Sequence, residues 1–210
     1  MKTLRAGSPA KRAAILVAAR ELFLRDGVDR VSMDAVAARA AVSKRTVYDY
    51  FGDKRTLFLA ILADAADSLN GIARRAIDEH LPDDPAITTV AGLGEALTAL
   101  AVDLSMTVVR STDYAAVFAL VAQQRGQEGS PGDDVDTLAV HDAVADRFAR
   151  FAGHGLLELD DPREAAHHFG ALTLLLASDE QPFPSRADPE RIRRTVTGGV
   201  RAFMRAYAPR

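Results

Sequence analysis

The residues of this chain whose types and spacing could do chemistry lie together in the run Ser43-Lys44-Arg45-Thr46-Val47-Tyr48-Asp49-Tyr50-Phe51. Lys44 and Arg45 can donate hydrogen bonds to guanine O6 and N7, and Thr46 can touch a thymine methyl group or bond to a base edge. Val47 and Phe51 stand four apart, so on a helix they share an inward face while Lys44, Arg45, Thr46, Tyr48 and Tyr50 project elsewhere. Ser43 supplies a side-chain oxygen to cap that helix. A helix whose first turn is cationic and hydroxyl-rich is suited to entering the major groove of duplex DNA.

Catalytic chemistry finds no comparable grouping. There is no Gly-x-Ser-x-Gly elbow, no Gly-x-Gly-x-x-Gly turn, no phosphate loop and no His-Glu-x-x-His. The adjacent carboxylates Asp133-Asp134 and Asp160-Asp161 fit helix caps better than an acid and a base, and Gly153-His154-Gly155 fits a helix end. The absence of Cys removes disulfides, thiolate ligands and cysteine nucleophiles, and suits a reducing compartment. His167 and His168 are adjacent and would point about 100° apart on a helix, while His80, His141 and His154 are distant in sequence. The sequence therefore predicts a protein that is no enzyme, with no cofactor and no metal.

A recognition helix needs a partner to hold it. Ser32 can cap a preceding helix whose stripe is Met33, Val36, Ala37 and Ala40, and a short break then leads to Ser43, giving a helix-turn-helix. Ser8 and Pro9 fit the cap and first position of a supporting helix running to about Asp26, with Ile15, Ala19, Leu22 and Phe23 inward and Gly27 past its end. From Asp53 a fourth helix carries Leu57, Phe58, Ile61, Leu62, Ala65 and Leu69 to about His80, where Pro82 and Pro85 stop it. Further helices are predicted at about 86–110, 113–127, 133–153, 162–178 and 189–208, with a loop over 127–134. No stretch alternates like a strand. The expected fold is all-α, with about nine helices in two domains: an arm and helix-turn-helix over 1–54, and a larger helical domain over 55–210.

Charge divides along the same line. Residues 1–60 hold 12 Lys or Arg against 6 Asp or Glu, and the remainder hold 14 against 23, so a net −3 conceals a basic N-terminal end and an acidic remainder. All four Lys lie in the basic end, where they can neutralise phosphates. Lys2, Arg5, Lys11 and Arg12 could reach the adjacent minor groove or backbone, or form an ordinary charged tail. Hydrophobic content of 48% with 26% charged residues is that of a soluble globular protein. The longest apolar stretch, Phe169 to Ala177, is too short to span a bilayer, and no signal peptide is evident, so a cytoplasmic protein without membrane attachment is expected.

The run Ala40-Ala41-Val42-Ser43, then Tyr48-Asp49-Tyr50-Phe51, then Asp53-Lys54 resembles the DNA-binding domain of the tetracycline-repressor (TetR) family of regulators over roughly Ala10 to Phe58. Ala41 departs from it, standing where the family often has Gly at a turn that favours positive φ. The resemblance implies that Tyr48, Tyr50 and Lys54 hold phosphates on either side of the groove, with Ser32 assisting; packing of the aromatic ring inside the small domain is the alternative for Tyr48 and Tyr50. It also implies a small effector held among the middle helices of the second domain, whose binding tilts the fourth helix and spoils the fit to DNA. Leu62, Met106, Phe118, Val121, Phe148, Phe151 and Leu172 are candidates to line such a cavity, core packing being the competing reading of each. With no Trp in the chain and no aromatic residue between Ser68 and Asp113, an apolar or mixed effector is favoured.

One small helix-turn-helix buries too little to bind tightly, so a homodimer reading a palindromic operator is expected. Its surface is predicted on the last two helices: Ala166, Phe169, Gly170 and Thr173 on one, Val196, Gly199, Val200 and Phe203 on the other. Packing of both stripes inside one subunit is the alternative. The functional expectation is a ligand-responsive repressor that binds double-stranded DNA. The rivals are an enzyme, set aside above, and a helical interaction module or small-molecule-binding protein without sequence-specific DNA binding.

Overall fold

A computed structural model of the chain describes residues 8–82, 86–111, 114–115, 120 and 138–210. Among these residues the structure is helical and contains no strand. The elements are α1 (Pro9–Asp26), α2 (Met33–Arg39), α3 (Lys44–Phe51), α4 (Lys54–His80), α5 (Val90–Val109), α6 (Leu138–Gly153), α7 (Pro162–Gly170), a π-helical stretch (Ala171–Leu175), α8 (Leu176–Glu180) and α9 (Pro189–Tyr207). Two compact units emerge, the first built on the segment ending at Ala66 and the second on Asp67–Ala115 with the helices from Leu138 onward. The division falls inside α4 instead of at residue 54, because Leu57, Phe58, Ile61 and Leu62 of that helix pack into the first unit's core.

That first core joins Ile15, Ala19, Leu22 and Phe23 of α1 to Val36 and Ala37 of α2 and to Val47 and Phe51 of α3. Pro9 starts α1, yet the Ser8 side chain makes no capping bond; the Ser8 carbonyl accepts from the backbone N–H of Lys11 and Arg12. The turn from α2 to α3 rests on Ala41, whose φ of 55° makes it the one non-glycine residue with positive φ among the described residues. It closes α2 with two backbone bonds, from Ala41 N–H to the Ala38 carbonyl and from Val42 N–H to the Ala37 carbonyl, the arrangement in which a left-handed residue ends a helix. An L-residue with a Cβ pays about 1–2 kcal/mol in that region, part of which glycine returns as backbone entropy. Ala41→Gly is accordingly expected to stabilise the protein by about 1 kcal/mol, read as a higher urea midpoint with unchanged slope; a lower midpoint would contradict it.

In the second unit Leu93, Leu97 and Leu100 of α5 are fully buried and meet α6, α7 and α9 around three phenylalanines. Phe148 lies edge-on to Phe169 at 5.7 Å between ring centroids and tilted to Phe203 at 5.2 Å, and Phe169 lies edge-on to Phe203 at 5.3 Å, geometries that suit the ring quadrupole. The helix predicted over 162–178 is present but passes through a widened turn at Ala171–Leu175. Here α9 comes so close that a Cβ built on Gly199 would collide with the Leu172 carbonyl oxygen.

Other boundaries moved for local reasons. α5 starts at Val90 instead of near 86 because the Thr89 hydroxyl caps it, accepting from Gly92 N–H at 3.1 Å. Most of the predicted 113–127 helix, the loop over 127–134 and the start of the 133–153 helix lie outside the described residues. α4 and α5 are long and apolar enough, by length and composition, to cross a membrane. Part of their apolar surface lies in the two cores just described: Leu57, Phe58, Ile61, Leu62, Ala73, Ala76 and Ile77 of α4, and Leu93, Leu97, Leu100, Ala101 and Leu104 of α5.

Candidate nucleic-acid interface

The α2–α3 pair presents its polar residues outward because its apolar ones are consumed by the core: Val47 is fully buried and Phe51 nearly so. Ser43 Oγ accepts from Thr46 N–H at 3.1 Å and lies 2.8 Å from the Thr46 hydroxyl, so capping and orientation of Thr46 come from one residue. Ser32 does the same for α2, accepting from Ala35 N–H at 3.1 Å. Arg45 stands 90% exposed at the start of α3, and Lys44 and Tyr48 are exposed beside it. Tyr50 and Lys54 are half-buried and tied to main chain: the Tyr50 hydroxyl donates to the Ser8 carbonyl at 3.0 Å, and Lys54 Nζ donates to the Asp29 carbonyl at 2.9 Å. These two bonds fasten the ends of α3 and α4 to α1 and its following loop. Asp53 caps α4, accepting from Thr56 N–H at 2.7 Å, and that bond holds its carboxyl below the ordinary value.

Two carboxylates in this surface escaped the sequence reading. Lys44 Nζ lies 2.8 and 2.9 Å from the two carboxylate oxygens of Asp34 on α2, and the hydrogen bond with its charge raises the Lys44 pKa above the usual value. Arg45 Nε lies 3.7 Å from Asp49 one turn along α3. The second pair has the i, i+4 spacing that could have revealed it; the first joins residues ten apart in sequence and becomes visible only once the helices cross. Of the N-terminal basic residues, Lys2 and Arg5 lie outside the described residues, while Arg12 is engaged locally, over the Phe51 ring at 5.9 Å and 3.7 Å from Asp64.

The effector candidates separate into two groups. Leu62 belongs to the first unit's core, whereas Phe148 and Phe151 are buried in the second unit's core, with Met106 and Leu172 packed against it. Phe118 and Val121 lie outside the described residues. The second unit also buries the Ser105 hydroxyl on α5 without a hydrogen-bond partner, an unpaired polar group that sequence reasoning passed over. Arg147 of α6, 8% exposed, donates to Asp78 of α4 at 2.8 Å. The histidines also meet where spacing gave no hint: His141 against His167 at 4.3 Å between ring centroids, His168 bonded to the Tyr207 hydroxyl, and His80 with Glu79 near Asp103.

The stripes expected at a dimer surface require a correction of face. Ala166, Phe169, Thr173, Val196, Val200 and Phe203 are at most 4% exposed within the single chain, and Gly199 is buried against Leu172. Their small and apolar character serves the subunit's own helix packing; of the set, Gly170 alone is partly exposed. The opposite face of the same helices is open, with Leu175 at 65% and Leu176 at 41% exposure beside exposed Ala171, and with Gly198 and Ala202 on α9.

An all-α chain with a capped α2–α3 pair and a cationic α3 tip in one unit, and a second unit that is also helical, defines a helix-turn-helix DNA-binding regulator. Comparison with known proteins agrees at both ends of the chain. Residues 15–61 match the sequence profile of bacterial regulatory proteins of the tetR family, and residues 95–209, more than half of the chain, match that of the AefR-like transcriptional repressor C-terminal domain. The chain belongs to the TetR family of transcriptional regulators and is not an enzyme. The HTH-type transcriptional activator FasR of Mycolicibacterium smegmatis is 39% identical over 67 residues, which is 32% of this chain and 31% of that protein; the chain thus spans about a third of the length of the curated relatives it matches. Among solved structures, a TetR-family regulator from Mesorhizobium loti superimposes with a TM-score of 0.77 at 24% identity, covering 97% of this chain and all of that one. The flavonoid-responsive regulator FrrA gives a TM-score of 0.70 at 29% identity, with the same coverage.

Proposed function

We propose that the protein is a ligand-responsive repressor that binds a palindromic operator as a homodimer, with the turn Ser43, Lys44, Arg45 and Thr46 at base edges and Ser32, Tyr48, Tyr50 and Lys54 on the flanking phosphates. The observation that carries this reading is the exposed first turn of α3, where cations and a hydroxyl project from a helix whose other face is locked into a core. Base contacts from such a turn specify sequence, while phosphate contacts fix register. The two copies meet through the open face of α7–α8 and α9, where Leu175 and Leu176 are exposed beside small residues that permit close approach. The effector is a small apolar or mixed molecule held in the second unit among Met106, Phe148, Phe151 and Leu172, with Ser105 as a hydroxyl available to one polar group. Similarity to a flavonoid-responsive regulator supports the sensing role, and the repressor profile over 95–209 supports the sign. Such a protein works in the cytoplasm.

Selection from a pool of random duplexes tests the proposal. Recovery of an inverted repeat with half-sites about one helical turn apart is the expected result. A pool that stays unenriched at low salt would favour a helical interaction module that has lost sequence-specific DNA binding.

A further inference from the structure

We infer that Asp34 is a specificity-determining positioning residue: it holds the Lys44 ammonium toward the base edges and withholds its charge from phosphates, and Asp49 acts in the same sense on Arg45. The inference rests on the proposed role of Lys44 and Arg45 in DNA reading. The Asp34–Lys44 pair is short, at 2.8 and 2.9 Å, yet both side chains are 60% exposed. An exposed pair of this kind contributes little to folding, so its effect is on where the lysine points.

Lysine carries three donors. Lys44 can keep one on Asp34 while offering others outward, and its ammonium is further held over the face of the Tyr48 ring, 5.9 Å from the centroid. An ammonium so restrained acts as a directed donor for an acceptor such as guanine O6 or N7. Its charge is largely neutralised, so it releases few counterions from a duplex of arbitrary sequence. Without Asp34 the same lysine becomes a mobile cation on a flexible stem, able to reach phosphates on any sequence and to add about one phosphate contact to nonspecific binding. Asp49, 3.7 Å from Arg45 and 67% exposed, restrains its partner more loosely. Two carboxylates facing a polyanion would be an electrostatic liability with no return if affinity alone mattered. Restraint of nonspecific binding gives them a role.

The test uses the full-length protein and a random-sequence duplex of about 24 base pairs, with affinity followed by fluorescence anisotropy across about 50–200 mM salt. Asp34→Asn is expected to bind this duplex about three- to tenfold more tightly near 100 mM salt, with a salt slope steeper by about one. In a Lys44→Ala background the same substitution should change affinity less than about twofold, because its effect runs through Lys44. Asp49→Asn should act in the same direction with a smaller change. Thermal unfolding by circular dichroism accompanies each variant, so that a folding defect is read separately from binding. An equal gain from Asp34→Asn with and without Lys44 would mean that the carboxylate acts by long-range repulsion and would overturn the inference, as would no gain at all. If Lys44→Ala alone changes binding to neither the random duplex nor a selected one, Lys44 is absent from the interface, and the underlying reading falls with it.

Discussion

Arg45→Ala is expected to weaken dimer binding to a selected duplex by about 30-fold or more, one contact being lost in each half-site, and to relax preference at one base position, repeated symmetrically in both half-sites. The magnitude follows from the roughly 1–3 kcal/mol that a good bidentate base contact contributes. Arg45 is suited to this role by its exposure at the start of α3, where its 3.7 Å approach to Asp49 leaves the guanidinium only loosely engaged. Lys54→Ala provides the contrast. Its ammonium already donates to the Asp29 carbonyl, and its expected contact is to phosphate, so all duplexes should weaken alike and the salt slope should flatten by about one. Quantitative binding to the selected duplex and to single-base variants of it separates the two patterns. Equal, sequence-independent losses from both substitutions would remove the distinction between reading and positioning.

Gly199→Ala is expected to cost about 3 kcal/mol of stability, while Gly198→Ala, one residue away on the same helix, should be neutral or stabilise by roughly 0.5–1 kcal/mol. A Cβ at 199 would collide with the Leu172 carbonyl oxygen and lie 2.7 Å from its carbon, both backbone atoms that cannot rotate aside. α9 would have to retreat from the π-helical stretch and so loosen the packing of Val196, Val200 and Phe203, which lie on the same buried face. At Gly198 an added Cβ meets nothing within 4 Å, so alanine keeps its helix propensity without a steric cost. Urea denaturation of the two variants decides the matter. Similar midpoints would show that α9 can shift without loss. Because the open face of these helices is also the proposed dimer surface, weaker self-association of Gly199→Ala in sedimentation is expected as well.

The first unit was legible because its signals are local. Ser32, Ser43 and Asp53 are caps whose bonds span three residues, and the Val47/Phe51 spacing named the buried face of α3 before any tertiary contact was known. The positive φ at Ala41 agrees with what the resemblance to the TetR family implies at that position. The second unit was legible as helices, but the role of its stripes was not: apolar and small residues at helical spacing mark burial, and nothing in one chain's spacing tells burial within a subunit from burial between two. Val196, Gly199, Val200 and Phe203 made that stripe, and the subunit itself covers them. Leu175 and Leu176, exposed beside the π-helical turn, were hidden because a widened turn shifts which residues share a face. Pairings across helices, such as Asp34 with Lys44 and Arg147 with Asp78, required the fold itself.

In the proposed complex the tip of α3 enters the major groove twice along one face of a duplex. Methylation interference on a selected duplex tests it most directly, because modification of guanine N7 blocks the major groove alone. Interference is expected in two symmetric patches about one helical turn apart, with the Arg45→Ala protein losing sensitivity at one guanine in each patch. Interference absent from the major groove, or confined to a single patch with no symmetric mate, would contradict it.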